Sequence, residues 1–386
     1  MRIIADCRGS QEGFKSHYNR GIGRFIRSVA PRLPVLLPND EFHFLFDDGY
    51  GSADIDIPDN VKSIYIPSRF KLLKRREILR SQVLLPTINR KTRPDIMFFF
   101  SHEDASVFCK RYISYIHDLI PYKFPDQYNL NKGFRRRAVK VLLRRLALKS
   151  EIIFTNSENS KNDVASIFEI DPEKIHVTYE AVDYDHFYRR PGEEIESIKR
   201  KFKLPGRYLL YVGGIDPRKN MKTLLKAFEK AQVHNDQISL VIAGGIENQR
   251  EYPEFCNLIR ELSISEKVIL TGFVEDSHLP ALYSGASAFI LPSLYEGFGI
   301  PILEAFACGI PVITARNSSI PEVAGDAAVY CDISETGNLT EAIYRVLSDD
   351  EFRAKKIREG LERIKMFDWD KVAARIAEVL KNVRNS

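Results

Sequence analysis

Tryptophan occurs once and methionine four times in 386 residues, and the five cysteines are scattered at Cys7, Cys109, Cys256, Cys308 and Cys331. None forms a CxxC pair, and an odd count closes no complete disulfide framework, so neither a disulfide-stapled module nor a structural zinc site is expected. Buried free thiols are the plain expectation. No apolar run approaches the roughly 20 residues that span a bilayer. The opening MRIIADCRGS passes straight into a short apolar strand, without the apolar core of a secretory signal, which predicts a cytoplasmic protein. Internal repeats are not visible. A composition of 44% hydrophobic and 28% charged residues excludes disordered and fibrous classes. The chain is too long for one ordinary core, and two domains are expected.

The net charge of +5 hides an asymmetry: residues 1–190 hold 32 basic against 24 acidic side chains, and residues 191–386 hold 25 against 28. The first half should therefore approach something anionic, such as a phosphate-bearing acceptor or a membrane surface. Nucleic acid is not expected as a partner.

Both halves alternate apolar strands with helical patterns, the order of a parallel sheet covered on both faces. In the first half 2–6, 42–46, 61–66, 95–100, 112–118, 151–157 and 175–183 read as strands, and 21–33 and 132–149 as helices. After a polar connection at 189–206, strands are predicted at 208–214, 238–244, 267–273, 287–293 and 311–316. Helices are predicted at 220–232, 252–263, 279–285 and 301–308, then at 338–366 and 368–384. The fold class is α/β, two doubly wound domains facing across a cleft, bounded at 1–187 (with 368–386) and 188–367. Ligands of such sheets bind beyond the carboxyl ends of strands.

Two segments at such positions carry chemistry. Gly213 and Gly214 close an apolar strand, and Pro217-Arg218-Lys219-Asn220 leads into the helix MKTLLKAFEK. Glycines permit close backbone approach, a helix start offers N–H groups to an anion, and Arg218 and Lys219 add a fork and a point charge for phosphate. Alone, the glycine pair reads more readily as a turn. In LPSLYEGFGIPILEAFACGIPVI (291–313), Glu296 follows a strand, and Gly297, Phe298 and Gly299 precede a helix started by Pro301. Glu304 lies near that helix start. Two carboxylates around a glycine-rich turn suit paired sugar hydroxyls. The plainer alternative is a surface acid and a charge favoured by the helix dipole.

Together these segments resemble the donor domain of family 4 retaining glycosyltransferases, which carry a strand–GG–basic–helix segment and an E-x7-E motif. The resemblance spans 208–325 and implies the GT-B architecture: two Rossmann-like domains, with a C-terminal helix crossing back to the N-terminal domain. It implies that Glu296, with the backbone of Gly297, Phe298 and Gly299, holds the donor sugar, and that Glu304 holds the ribose. By the same resemblance Arg218 and Lys219 hold the diphosphate, and Phe273 and Val274 lie beside the base.

The first half is similar to the family more loosely. Gly21-Ile22-Gly23-Arg24 resembles its glycine-rich loop near the donor phosphates, and Tyr115-Ile116-His117-Asp118-Leu119 its strand-end HDL. That likeness implies that His117 faces the reacting sugar and serves, with Glu296, in catalysis. Asp118 is read as orienting His117 or its loop, and Ser157 as a helix cap. The chain departs from the family in Ala181-Val182-Asp183, where relatives often carry Gly-Val-Asp.

The stretch 132–149 holds eight Lys or Arg and no acid. As a helix it gathers Phe134, Ala138, Leu142 and Leu146 on one side, opposite Arg136, Arg137, Lys140 and Arg144. It reads either as a packed helix with a solvated face or, with 71–80, as a peripheral contact with anionic membrane or a lipid-diphosphate acceptor. No acidic metal-binding motif is apparent, so no metal or other cofactor is expected. The resemblance implies a retaining, metal-independent hexosyltransferase using a nucleotide-sugar donor. Its acceptor would be a glycan or polyprenyl-diphosphate-linked species in cell-surface polysaccharide synthesis. GIGR and PRKN also look like bacterial polysaccharide mannosyltransferases, which implies GDP-mannose. The alternatives are a sugar phosphorylase or epimerase of the same architecture, and a noncatalytic partner of another transferase.

Overall fold

The computed structural model describes residues 1–15, 21–67, 77–128, 134–232 and 237–385. The chain divides into two compact units, Met1–Glu180 with Trp369–Ser386, and Ala181–Asp368.

The first unit holds a seven-stranded sheet of β1 (Arg2–Asp6), β2 (Glu41–Asp47), β3 (Lys62–Ile66), β4 (Ile96–Phe99), β5 (Tyr112–Ile116), β6 (Ile153–Thr155) and β7 (Ile175–Val177). Every pairing is parallel, in the order β3-β2-β1-β4-β5-β6-β7. All residues of β4 (IMFF) and β5 (YISYI) are buried, because helices cover both faces and leave no side for alternating polar residues. The helices are α1 (Gly21–Val29), α2 (Arg32–Leu36), α3 (Glu77–Thr92), α4 (Ile120–Lys123), α5 (Phe134–Lys149) and α6 (Glu158–Phe168). Ser157 caps α6, its side chain accepting from Ser160 N at 3.0 Å.

The second unit begins with α7 (Gly192–Phe202) and holds β8 (Arg207–Val212), β9 (Ile238–Ala243), β10 (Val268–Gly272), β11 (Ala288–Leu291), β12 (Val312–Thr314) and β13 (Val329–Tyr330). These six strands are parallel in the order β10-β9-β8-β11-β12-β13. Around them lie α8 (Met221–Gln232), α9 (Tyr252–Glu261), α10 (Leu279–Ser284), α11 (Ile300–Ala307), α12 (Ile320–Ala324), α13 (Thr336–Ser348) and α14 (Asp350–Arg363). The last helix, α15 (Trp369–Asn385), returns to the first unit and packs on α2 and α1.

Several boundaries differ from the sequence reading. The helix expected over 21–33 ends at Val29, before Pro31, and α2 starts separately. The connection at 189–206 contains α7, whose sequence buries only Ile198. The segment 338–366 breaks at Asp349, which caps α14 by accepting from Phe352 N at 2.8 Å. The first unit ends at Glu180 and not at 187, because the following residues bond into the second: Tyr184 Oη donates to Phe367 O (2.7 Å), and Phe187 packs edge-on to Tyr283 at 6.3 Å. The basic helix packs through Leu143, Leu146 and Ala147, with Ala138 exposed, so its buried face is rotated from the one expected. Of the second basic segment, 71–76 lies outside the described residues.

Candidate active site

In the second sheet the strand order reverses between β8 and β11, so the carboxyl ends of these two neighbours mark the switch point, where sheets of this kind bind ligands. The loop after β8 carries Gly213, Gly214, Arg218 and Lys219, and the loop after β11 carries Glu296 to Gly299. Gly213 runs against Gly244 at the end of β9, where an added Cβ on Gly244 would stand 2.3 Å from the Gly213 carbonyl oxygen. Two backbones meet here only because no side chain intervenes.

The two loops join through charge. Lys219 Nζ donates to Glu296 Oε1 at 2.6 Å, and Arg218 Nη1 donates to Glu296 Oε2 at 2.9 Å and to the Tyr295 carbonyl at 2.9 Å. Ser293 Oγ donates to Glu296 Oε1 at 2.6 Å, and Asp216 Oδ1 lies 3.0 Å from Arg218 Nε. Burial by itself pushes the Glu296 carboxyl up, but the charges of Lys219 and Arg218 outweigh it and hold the group below the ordinary glutamate value. The result is a nearly buried carboxylate clamped by two cations.

Gly299 adopts φ +108 at the start of α11, a conformation suited to glycine, and Pro301 occupies the first turn. Glu304, buried on α11, accepts from Tyr283 Oη at 2.9 Å. Phe273, at the end of β10, is 64% exposed beside Gly245, while Val274 is buried. All of these residues belong to the second unit.

The other candidates lie in the first unit. Gly21 opens α1, Gly23 is buried within it, and Arg24 is half-buried. Phe25 on the same helix meets the His117 ring edge-on at 5.3 Å. His117 follows β5, with Nδ1 2.9 Å from Glu180 Oε1 and Nε2 3.0 Å from the Phe100 carbonyl oxygen. Asp118 accepts from Ile120 N at 3.0 Å and so holds its own loop.

The sequence reading missed Glu180, Tyr283, Ser293 and the turn Asn317-Ser318-Ser319, which bonds to the loop carrying Glu296. A carboxylate inside a stretch read as a strand, or a serine between strand and helix, gives no local sign of its distant partner. Among the described residues no group of three or more His, Cys, Asp or Glu is placed to hold a metal ion. Among the described residues no helix is long and apolar enough to cross a membrane.

Two family profiles match consecutive parts of the chain: Glycosyltransferase Family 4 over residues 20–186, and Glycosyl transferases group 1 over 193–363. The O-antigen chain mannosyltransferase B of Escherichia coli is 28% identical over 365 residues, covering 91% of this chain and 93% of its own. A Campylobacter jejuni protein named N-acetylgalactosamine-N,N'-diacetylbacillosaminyl-diphospho-undecaprenol 4-alpha-N-acetylgalactosaminyltransferase is 25% identical over 366 residues, covering 92% and 95%. Among solved structures, the sucrose-phosphate synthase of Thermosynechococcus elongatus superposes with a TM-score of 0.76 at 18% identity, over 100% of this chain and 99% of that one, a likeness of fold. With the two doubly wound sheets and the returning helix, these matches show that the chain belongs to the family 4 glycosyltransferases, of the GT-B fold.

Proposed function

We propose that this glycosyltransferase moves a hexose, mannose from GDP-mannose, with retention of configuration and without a metal, to a glycan or polyprenyl-diphosphate-linked acceptor in cell-surface polysaccharide synthesis. The observation that carries the reading is the constellation of half-buried Arg218 and Lys219 on buried Glu296 at the switch point of the second sheet. Two cations there can take the charge that develops on a departing nucleoside diphosphate, the work a divalent ion does elsewhere. Glu296 and the backbone of Gly297 to Gly299 hold the sugar, Glu304 the ribose, and the exposed ring of Phe273 with Val274 supports the base. Gly213 and Gly214 complete the phosphate contacts of the second unit, and Gly21, Gly23 and Arg24 are the first unit's own candidates for donor phosphate.

In the reaction the C1–O bond to the diphosphate breaks, a C1–O bond to the acceptor forms on the same face, and the acceptor's proton passes to the departing phosphate oxygen. His117 positions and stabilises the sugar. With Glu180 beside one ring nitrogen and the Phe100 carbonyl beside the other, it is not poised to take that proton. Mannose is supported by the E. coli relative's name, and a lipid-diphosphate acceptor by that of the C. jejuni relative. On α5 the exposed Arg137, Lys140, Arg145 and Lys149, with Val141 52% and Leu148 40% exposed, support peripheral contact with the anionic inner face of the membrane.

The test is turnover of GDP-mannose against UDP-glucose and UDP-N-acetylgalactosamine, with and without EDTA, and NMR of the product's anomeric centre. Turnover of GDP-mannose in EDTA, giving the donor's own configuration, is expected. Loss of activity in EDTA with rescue by magnesium or manganese overturns the metal-free reading, and an inverted product overturns retention.

A further inference from the structure

Between β12 and α12, three consecutive side chains reach back to one loop. Asn317 Nδ2 donates to the Ser293 carbonyl at 3.1 Å, and the Glu296 amide donates to Ser318 Oγ at 3.0 Å. Ser319 Oγ lies 3.0 Å from the Glu296 carbonyl and 2.9 Å from the Phe298 carbonyl, so its one proton is shared between them. Ser318 Oγ also donates to Asn317 Oδ1 at 3.3 Å, which turns the Asn317 amide group toward Ser293. The loop 293–299 belongs to no strand or helix, and Ser293, Glu296 and Phe298 are buried. Its buried carbonyls therefore need donors from elsewhere, and this turn supplies them.

Ser318 sits at φ +48, a left-handed conformation that a non-glycine residue seldom adopts. That backbone aims its hydroxyl at the Glu296 amide, while the fully buried Ser319 reaches the carbonyls of Glu296 and Phe298. The hold spans both sides of Glu296, whose side chain in turn meets Arg218 and Lys219.

We propose that Asn317, Ser318 and Ser319 are positioning residues for glycosyl transfer. They fix the backbone on either side of Glu296, and so set where its carboxylate stands relative to the donor sugar and the two cations. The inference rests on the reading of Glu296 as the sugar-holding residue.

Ser318→Gly and Ser318→Ala separate positioning from stability. Both remove the hydroxyl, but glycine suits φ +48 and alanine does not, so the glycine variant should melt at the higher temperature. If the turn positions Glu296, both variants lose about tenfold or more in kcat with the preferred nucleotide sugar, whichever melts higher. Their affinities for free GDP and UDP should change by less than about threefold, because both cations remain. Hydrogen exchange of the peptide 293–300 should rise in both. Activity that follows melting temperature, or unchanged exchange in 293–300, overturns the proposal. Glu296→Gln is the reference: if it keeps full turnover, the reading of Glu296 itself fails. If it is inactive while both Ser318 variants are fully active, only the positioning role fails.

Discussion

Lys219 and Glu296 form a 2.6 Å ion pair, yet substitution should act oppositely at the two ends. Lys219→Ala removes a charge-assisted contact to the diphosphate and should weaken GDP or UDP binding by about 2 kcal/mol, roughly thirtyfold. Glu296→Gln removes the carboxylate that occupies both cations, so the free diphosphate should bind as well or better while transfer is lost. Calorimetry with the two nucleotides and a turnover assay check both, and equal weakening in the two variants would remove Glu296 from its assigned place. The thiols follow burial. Burial and then the charge of Asp6 push Cys7 well above the ordinary cysteine value, and burial pushes Cys109 and Cys308 up to about 12. Since the thiolate is the reactive form, these three should stay unmodified by iodoacetamide at pH 8 in the folded protein and react once it is denatured. Mass spectrometry of the treated protein reads this directly.

At the scale of elements, α15 shows what periodicity alone conveys. Helical spacing puts Val372, Ile376, Val379 and Leu380 on one face, and they are buried with Ala373 and Val383 in the first unit. Trp369 at its start is 6% exposed and meets Phe25 at 5.8 Å, and Phe25 meets His117. Trp369→Ala should therefore cost about 3 kcal/mol of stability and disturb the packing under His117. Truncation before Trp369 should cost more, and a truncated protein with an unchanged melting curve would contradict this packing. The Arg32–Asp370 pair adds little, because both side chains are exposed. Largely apolar strands such as β1, β4 and β5 were legible because burial on both faces leaves few positions for polar residues. Elements with little buried surface were not. The helix α7 buries one side chain, β13 has two residues, and α3 carries Pro86 inside it. In the site, the residues of the two motifs were legible because glycine, charge and spacing are local signals. Glu180, Tyr283 and the turn 317–319 were not, because their meaning depends on partners far along the chain.

For the whole molecule, the two units should differ in their response to acid. His102, in the first unit, is buried with its Nε2 unbonded, and burial brings its pKa down from 6.5 to about 4. Glu103 and Asp104 oppose the shift, while the charges of His117 and Lys15 add to it. Between about pH 6.5 and 4 the unfolded chain binds a proton at this residue that the folded unit refuses. Stability is then lost as the pH falls through that window, by roughly 3 kcal/mol at most. Glu296, in the second unit, has its folded value depressed, so its contribution is present above the ordinary glutamate value of 4.5 and is lost only as the pH falls below it. The first unit should accordingly give way before the second on acidification. The single tryptophan makes this readable, because Trp369 belongs to the first unit and its fluorescence follows that unit alone, whereas far-ultraviolet circular dichroism follows both. The fluorescence transition should lie at higher pH than the main loss of circular dichroism. His102→Gln should move the fluorescence midpoint to lower pH and leave the second transition in place. Coincident transitions in the parent protein, or an unmoved fluorescence midpoint in the His102→Gln variant, would show that His102 does not set the acid stability of the first unit.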